Sequence, residues 1–202
     1  MSKGLDTSDI LSADKASALK ASGYEFVGRY YSYSRWKNLT PEEARAISDA
    51  GLYIVSIFEA NPTRASYFTP AQAADDAAKA WSMARQVGQP AGSPIYFTVD
   101  YDAASSDDVG RITSYFGQIR KALAATSARA GYAVGGYGSG FVLGALRTAK
   151  LVDYTYLAQS RGWSGSSGFT GADLTQLQET TALGLDIDID RSAADGGGWK
   201  LP

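Results

Sequence analysis

The sequence has 202 residues, 45% of them hydrophobic and 20% charged, inside the usual range of a globular chain and outside those of disordered and fibrous ones. With 19 basic against 21 acidic residues the formal net charge is −2, and there is no basic run of the kind that follows a phosphate backbone, which argues against a nucleic-acid partner. Histidine and cysteine are both absent, so hydrolases that rest on a His base, zinc sites built on His or Cys, and disulfide frameworks have no parts here.

Any chemistry must therefore use Asp, Glu, Tyr, Arg or Lys. One domain over residues 1–202 is expected, long enough to bury a core without a disulfide or a structural metal. Met1-Ser2-Lys3-Gly4 lacks the apolar stretch and cleavage site of a secretory signal, and no run of about 18 apolar residues follows, so neither a classical precursor nor a membrane-spanning chain is expected.

Along the chain, short apolar runs alternate with longer helical stretches. Gly4-Leu5-Asp6 reads as a strand, followed by a helix from about Ser12 to Ala21 and a second strand from Phe26 to Tyr31. Thr40-Pro41-Glu42-Glu43 is an N-cap, a Pro at the first helical position and an acidic first turn; that helix stops at Gly51, before the strand Leu52 to Glu59. Thr69-Pro70 opens a helix to Val87, and Ser93-Pro94 leads into the apolar run Ile95 to Asp100. A helix from Ser106 to about Ala125, a strand from Tyr132 to Tyr137, a helix from Ser139 to Ala149 and a strand from Tyr154 to Gln159 continue the alternation.

The last third has strands at Leu174 to Gln178 and Leu185 to Asp190 but no room for full helices between them, and Gly162 to Gly171 reads as a surface loop. Repeated units of this kind argue for a parallel sheet, and eight strands for an α/β, TIM-like barrel with reduced or missing late helices.

In such a barrel the reactive end is the mouth where strands finish, so polar residues closing apolar strands carry positional meaning. Asp6, Glu59 and Asp100 close the first, third and fourth strands, Asp102 follows two residues later, and Asp186, Asp188 and Asp190 alternate along the eighth on one face. Carboxylates gathered at one mouth repel, which raises one pKa and leaves another low, and a proton donor beside an ionised partner is what glycoside hydrolysis requires. The plainer reading of each is a helix cap or a solvated loop residue.

Arg29, Tyr30 and Tyr31, with Tyr96, Tyr101, Tyr137, Tyr156 and Trp163, lie at or near strand ends where sugar rings would be held, although aromatic side chains fill cores as readily. Gln159 and Gln178 close strands six and seven and suit hydrogen bonding to sugar hydroxyls or to a carboxylate. Gly135-Gly136-Tyr137-Gly138-Ser139-Gly140 is a poor match to a phosphate-cradling loop and fits close backbone approach at the rim better. Ser139 as a nucleophile lacks a histidine.

Gly4-Leu5-Asp6-Thr7-Ser8, Phe26 to Tyr31, Pro94 to Asp102, Tyr156-Leu157-Ala158-Gln159 and Ile187-Asp188-Ile189-Asp190, in that order, resemble a glycoside-hydrolase-like bacterial domain of unknown function, itself similar to the family 25 lysozymes. The likeness runs from Gly4 to about Trp199. It implies catalytic roles for Asp6, for the Asp-x-Glu position of the fourth strand, matched by Asp100 and imperfectly by Asp102, and for Asp188. Asp102 is one methylene shorter than the family's general acid, which makes Glu59 an alternative donor. In the lysozymes the substrate's own acetamido group is thought to act as nucleophile with an Asp assisting.

The leading expectation is a monomeric glycosidase without cofactor or metal, acting outside the cytoplasm on a carbohydrate polymer such as peptidoglycan, with no nucleic-acid or membrane partner. Two alternatives remain open: a barrel that binds wall glycan without turnover, and a hydrolase whose Asp186, Asp188 and Asp190 hold Ca²⁺ or Mg²⁺ through oxygen ligands.

Overall fold

Helix starts follow the local chemistry of the chain. In the computed structural model, which describes residues 1–124, 131–194 and 196–202, each α-helix among those residues begins behind a Ser or Thr whose hydroxyl accepts a first-turn backbone N–H. These caps are Ser12 for α1 (Ala13–Ala21), Thr40 for α2 (Pro41–Asp49), Thr69 for α3 (Pro70–Val87), Ser105 for α4 (Ser106–Leu123) and Ser139 for α5 (Gly140–Thr148). The expected end of α4 near Ala125 lies outside the described residues.

The strands β1 (Ser2–Asp6), β2 (Phe26–Tyr31), β3 (Tyr53–Phe58), β4 (Pro94–Thr98), β5 (Ala133–Gly138), β6 (Tyr154–Leu157), β7 (Leu174–Ala182) and β8 (Leu185–Ser192) close in chain order into one barrel. The chain is thus an α/β, TIM-like barrel. Among the described residues no α-helix follows β6, and β7 turns directly into β8.

A wholly parallel sheet is not what forms. β1 to β7 pair in parallel, but β8 is antiparallel to both β7 and β1. The cause is the turn at Leu183 and Gly184, with φ of 55° and 68°, which returns the chain at once where a parallel strand would need a long crossover. The mouth end of β8 is therefore its start.

Side chains alternate between the barrel interior and the helix layer. Phe26, Val55, Ile57, Tyr96, Tyr156 and Leu174 form the inner cluster, while Leu5, Val27, Tyr31, Ile54, Phe58 and Phe97 belong to the larger core shared with the helices. Space inside is short. A Cβ on Gly28 would lie 2.6 Å from the Asp6 Cβ and 2.9 Å from Ile57 Cδ1, so a bare backbone at Gly28 is what admits Asp6 to the interior.

The end opposite the mouth is closed by the segment after β8. Tyr96 donates its hydroxyl hydrogen to the Gly196 carbonyl (2.8 Å), and Trp199 exchanges backbone hydrogen bonds with Ile54 while its indole N–H donates to Ser56 Oγ (2.9 Å). Tyr96, expected among the substrate contacts, is fully buried and turned toward this closed end.

Arg29 is also turned away from the mouth. It alternates with Gly28 and Tyr30, so its guanidinium enters the helix layer, where Nε and Nη2 donate to the two oxygens of Glu43 (2.8 and 3.1 Å) and Nη1 donates to the Thr7 carbonyl. Glu43 Oε1 also accepts the Leu11 N–H at 2.8 Å, and the two side chains are 0% and 2% exposed. A buried pair with its donors and acceptors met ties β2, α2 and the loop after β1 together, and removing one partner strands the other charge. Arg29→Ala or Glu43→Ala is expected to lower unfolding free energy by about 3–5 kcal/mol. Chemical denaturation checks this, and a loss below about 1 kcal/mol would show that the pair does not hold the loop.

Candidate active site

Asp6 closes β1 and points into the interior, 2% exposed. Three donors converge on it: the hydroxyls of Tyr30 on Oδ1 (2.6 Å) and Tyr156 on Oδ2 (2.8 Å), and Gln176 Nε2 on Oδ2 (2.9 Å). Burial raises its pKa, the three donors oppose that rise, and Glu59 adds to it, with a net shift upward.

Across the β1–β8 seam Asp6 faces Asp188, and Gln176 serves both. Its Nε2 also donates to Asp188 Oδ2 (2.9 Å), while its Oε1 accepts from the Tyr137 hydroxyl (2.9 Å) and the Gln159 N–H (3.3 Å). Burial, then the charges of Asp6 and Glu179, push Asp188 up to about 7. Asp190, two residues along the same inner face and 1% exposed, stands well above the usual carboxylate range through burial and the charge of Asp6. Among the described residues no hydrogen-bond donor meets Asp188 Oδ1 or either oxygen of Asp190.

The rim holds Glu59 and Asp100. Glu59 is ion-paired with Lys37 (2.6 Å), whose ammonium also lies 4.7 Å from the centre of the Tyr30 ring. Asp100 stands exposed at the end of the fourth strand segment, its pKa raised by partial desolvation and by Glu59 and lowered in part by Lys37. Asp6, Glu59, Asp100 and Asp188 line one hollow of about 190 Å³, together with Tyr30, Thr98, Tyr137, Tyr156, Gln159, Gln176 and Glu179. A larger hollow of about 470 Å³ adjoins it. The two share Asp6, Tyr30, Glu179 and Asp188, and the larger one continues over Thr7, Ser8, Thr180, Thr181 and Asp186.

Of the residues singled out in the sequence, the structure thus brings together Asp6, Tyr30, Glu59, Asp100, Tyr137, Tyr156, Gln159 and Asp188. Asp102 is elsewhere: exposed on the loop after β4, it accepts the Ser164 N–H at 2.8 Å. Trp163, half-buried in the loop after β6, adjoins that contact without lining the hollow. Gln176 follows Leu174 on the inner face, but a bulge between Gln176 and Gln178 shifts the alternation of β7, so Gln178 is exposed and Glu179 lines the hollow instead.

Asp186, Asp188 and Asp190 are spread from the larger hollow down into the barrel, and among the described residues no group of three or more acidic side chains is gathered as a metal ion would need. The glycine run contacts protein. The Gly140 N–H donates to Ser166 Oγ (3.0 Å) and the Phe141 N–H to the Ser164 carbonyl (2.9 Å), so the start of α5 is filled by the chain's own loop.

A carboxylate-lined hollow thus opens at the mouth of a closed barrel, and the comparisons set the chain among glycoside hydrolase-like domains. A family model described as Rv2525c-like, glycoside hydrolase-like domain matches residues 17–194. The chain belongs to this family. The Rv2525c-like domain is 35% identical over 175 residues to the uncharacterised protein YbfG of Bacillus subtilis (strain 168), which is 81% of this chain and 24% of YbfG. It spans about a quarter of the length of the curated relatives it matches.

Among solved structures, the Mycobacterium tuberculosis Tat-secreted protein Rv2525c, in complex with L-tartrate, matches at a TM-score of 0.82 with 20% identity over 98% of both chains. A muramidase from Trichobolus zukalii matches at 0.56 with 14% identity over 96% of both. At these identities the likeness is one of fold.

The proton-holding carboxyls set the pH response of the Rv2525c-like domain. An acid whose folded pKa is raised keeps its proton in the native state after the unfolded chain has lost it, so its contribution is complete at low pH and shrinks as pH rises. For Asp188 the loss runs from about pH 4, the ordinary carboxylate value, to about 7, and Asp6 and Asp190 act in the same direction. The thermal midpoint is expected to fall between about pH 5 and pH 8. Asp190→Asn, neutral at every pH and nearly the same shape, should flatten that fall and raise the midpoint at the alkaline end. A midpoint that climbs over this range contradicts the assignment.

Proposed function

We propose that this domain hydrolyses a glycosidic bond in peptidoglycan or a related bacterial wall glycan, in the manner of a muramidase and outside the cytoplasm. The observation that carries the reading is the convergence of Asp6, Glu59, Asp100 and Asp188, from β1, the ends of β3 and β4, and β8, on one hollow. Hydrolysis at an anomeric carbon needs one acid to protonate the leaving oxygen and one basic group to assist the attack, with negative charge near the sugar ring as positive charge develops.

The hollow supplies these parts. Glu59 is held as the anionic partner of Lys37, and Asp100 beside it has a raised proton affinity and an open path to solvent, which suits a group that accepts a proton from the attacking nucleophile. Tyr30 and Tyr137 offer ring surface and hydroxyls on the wall, and Gln159 donates to Glu179 at 3.0 Å. The muramidase fold shared over nearly the whole chain supports a bacterial envelope glycan as substrate class.

A second reading rests on Asp102. The residue at the position of the family acid lies outside the hollow with one oxygen occupied by Ser164, which favours a barrel that holds glycan without cleaving it. Purified cell walls separate the two. Turnover predicts new reducing ends, lowered about 100-fold or more by Asp100→Asn. Saturable binding of wall fragments without new reducing ends establishes the binder, and unchanged release by the variant removes Asp100 from the mechanism.

A further inference from the structure

The loop that follows β2 is fastened at most of its residues. Tyr33 donates its hydroxyl hydrogen to Asp76 Oδ1 (3.1 Å) and packs edge-on against Phe58, with 6.2 Å between ring centres. Asp76 is a fixed anchor: fully buried on α3, it also accepts from the hydroxyls of Tyr67 and Tyr115, both at 2.6 Å. The Ser34 N–H donates to Ser32 Oγ (3.2 Å), Asn38 Nδ2 to the Ser32 carbonyl (3.0 Å), and the Leu39 N–H to the Tyr30 carbonyl (2.9 Å). A single 3₁₀ turn, Arg35–Lys37, forms the crest, with Lys37 held by Glu59.

Trp36 is the exception. It stands in the middle of that turn, 66% exposed, and among the described residues its indole N–H meets no acceptor and its ring no aromatic or cationic partner. An indole held open to water on a pinned loop is unfavourable, and nothing within the fold offsets it. The ring adjoins the mouth. One residue on, the Lys37 ammonium lies 4.7 Å from the centre of the Tyr30 ring, and Tyr30 lines both hollows. The larger hollow runs from the β7–β8 hairpin past Thr7 and Asp6 to Tyr30 on β2, and the loop carrying Trp36 continues from the end of that strand. A chain of sugars that fills the hollows and passes Tyr30 reaches Trp36 next. Sugar rings present a face of C–H groups about as broad as an indole, and a rigid aromatic ring gives contact area at little entropic cost. A lipid surface would need a contiguous apolar patch, whereas the chain neighbours of Trp36 are Ser34, Arg35, Lys37 and Asn38.

We propose that Trp36 is a stacking platform for a sugar of the wall glycan lying beyond the two hollows, so that the domain holds a chain longer than the hollows themselves contain. The assignment rests on the glycan reading of the same mouth, and it holds whether the barrel cleaves the chain or only binds it.

Peptide-free oligomers cut from purified wall glycan test this by length. Wild type, Trp36→Ala and Trp36→Phe are titrated calorimetrically with a disaccharide and with a hexasaccharide. Trp36→Ala should weaken hexasaccharide binding about 10-fold and leave the disaccharide within about 2-fold, and Trp36→Phe, which keeps a ring, should recover most of the difference. Where the hexasaccharide is cut, its KM carries the same comparison, with kcat unchanged. The hexasaccharide should also shield wild-type tryptophan fluorescence from acrylamide, a protection that the alanine variant lacks. Because the indole lies outside the core, the variant should keep the wild-type thermal midpoint, which separates a loss of binding from a loss of fold. Equal hexasaccharide affinities of wild type and Trp36→Ala, or losses of the same size on both oligomers, overturn the platform and leave the glycan reading standing. Shielding by anionic phospholipid vesicles and not by the hexasaccharide overturns it in favour of a membrane contact. A wild type that binds neither oligomer overturns the glycan reading and the platform with it.

Discussion

Asp6 and Asp188 face each other across the seam where β8 closes the barrel, and the polar interior is arranged around their repulsion. Two unit charges about 5 Å apart repel by about 3 kcal/mol at an effective dielectric of about 20, too much to leave unanswered in a marginally stable domain. One answer is Gln176, whose amide donates to one oxygen of each carboxyl. The other is a proton: Asp6 collects two further hydroxyl donors, while Asp188 has a buried oxygen that meets no donor among the described residues, and a raised pKa. Unequal donors on two neighbouring acids produce unequal proton affinities, the asymmetry that acid–base chemistry uses.

The position of this pair is set from outside the hollow. Arg29 and Glu43 lie in the helix layer, yet they grip the Thr7 carbonyl and the Leu11 N–H and so fix the loop that leaves Asp6. Gly28 gives Asp6 its space, and the tight turn at Leu183 and Gly184 reverses β8 so that Asp188 meets Asp6. Each contribution comes from a residue that would not touch a sugar, and each acts on where a carboxylate stands.

Much of this was legible in the sequence. Ser and Thr caps marked the helix starts, and apolar runs marked the strands, because both signals are local. Asp6, Glu59, Asp100 and Asp188 were legible as polar residues at apolar strand ends. The side each strand residue faces was not, since both faces of a barrel strand are buried and hydrophobic alternation no longer tells inside from outside. Arg29 and Tyr96 were misplaced for that reason. Period-two counting from Leu174 places both Gln176 and Gln178 on the inner face, and the bulge that turns Gln178 out is invisible in composition. The direction of β8 was hidden by a turn that carries Leu at a left-handed position where Asn, Asp or Gly would have announced a hairpin.

The missing late helices and the shape of the hollow are two aspects of one change. A barrel with full crossovers after β6 and β7 would have helices along that flank. Here β7 and β8, nine and eight residues long, run on together past the other strands, and their extension carries Glu179, Thr180, Thr181 and Asp186 along the larger hollow. Hydroxyls and carboxylates line that extension, which gives a neutral, hydroxyl-rich chain many partners and an anionic one few. Exchanging a parallel crossover for a hairpin thus does two things at once: it brings an acid from the eighth strand against the first, and it opens a polar path away from the mouth on the side where, among the described residues, no α-helix stands.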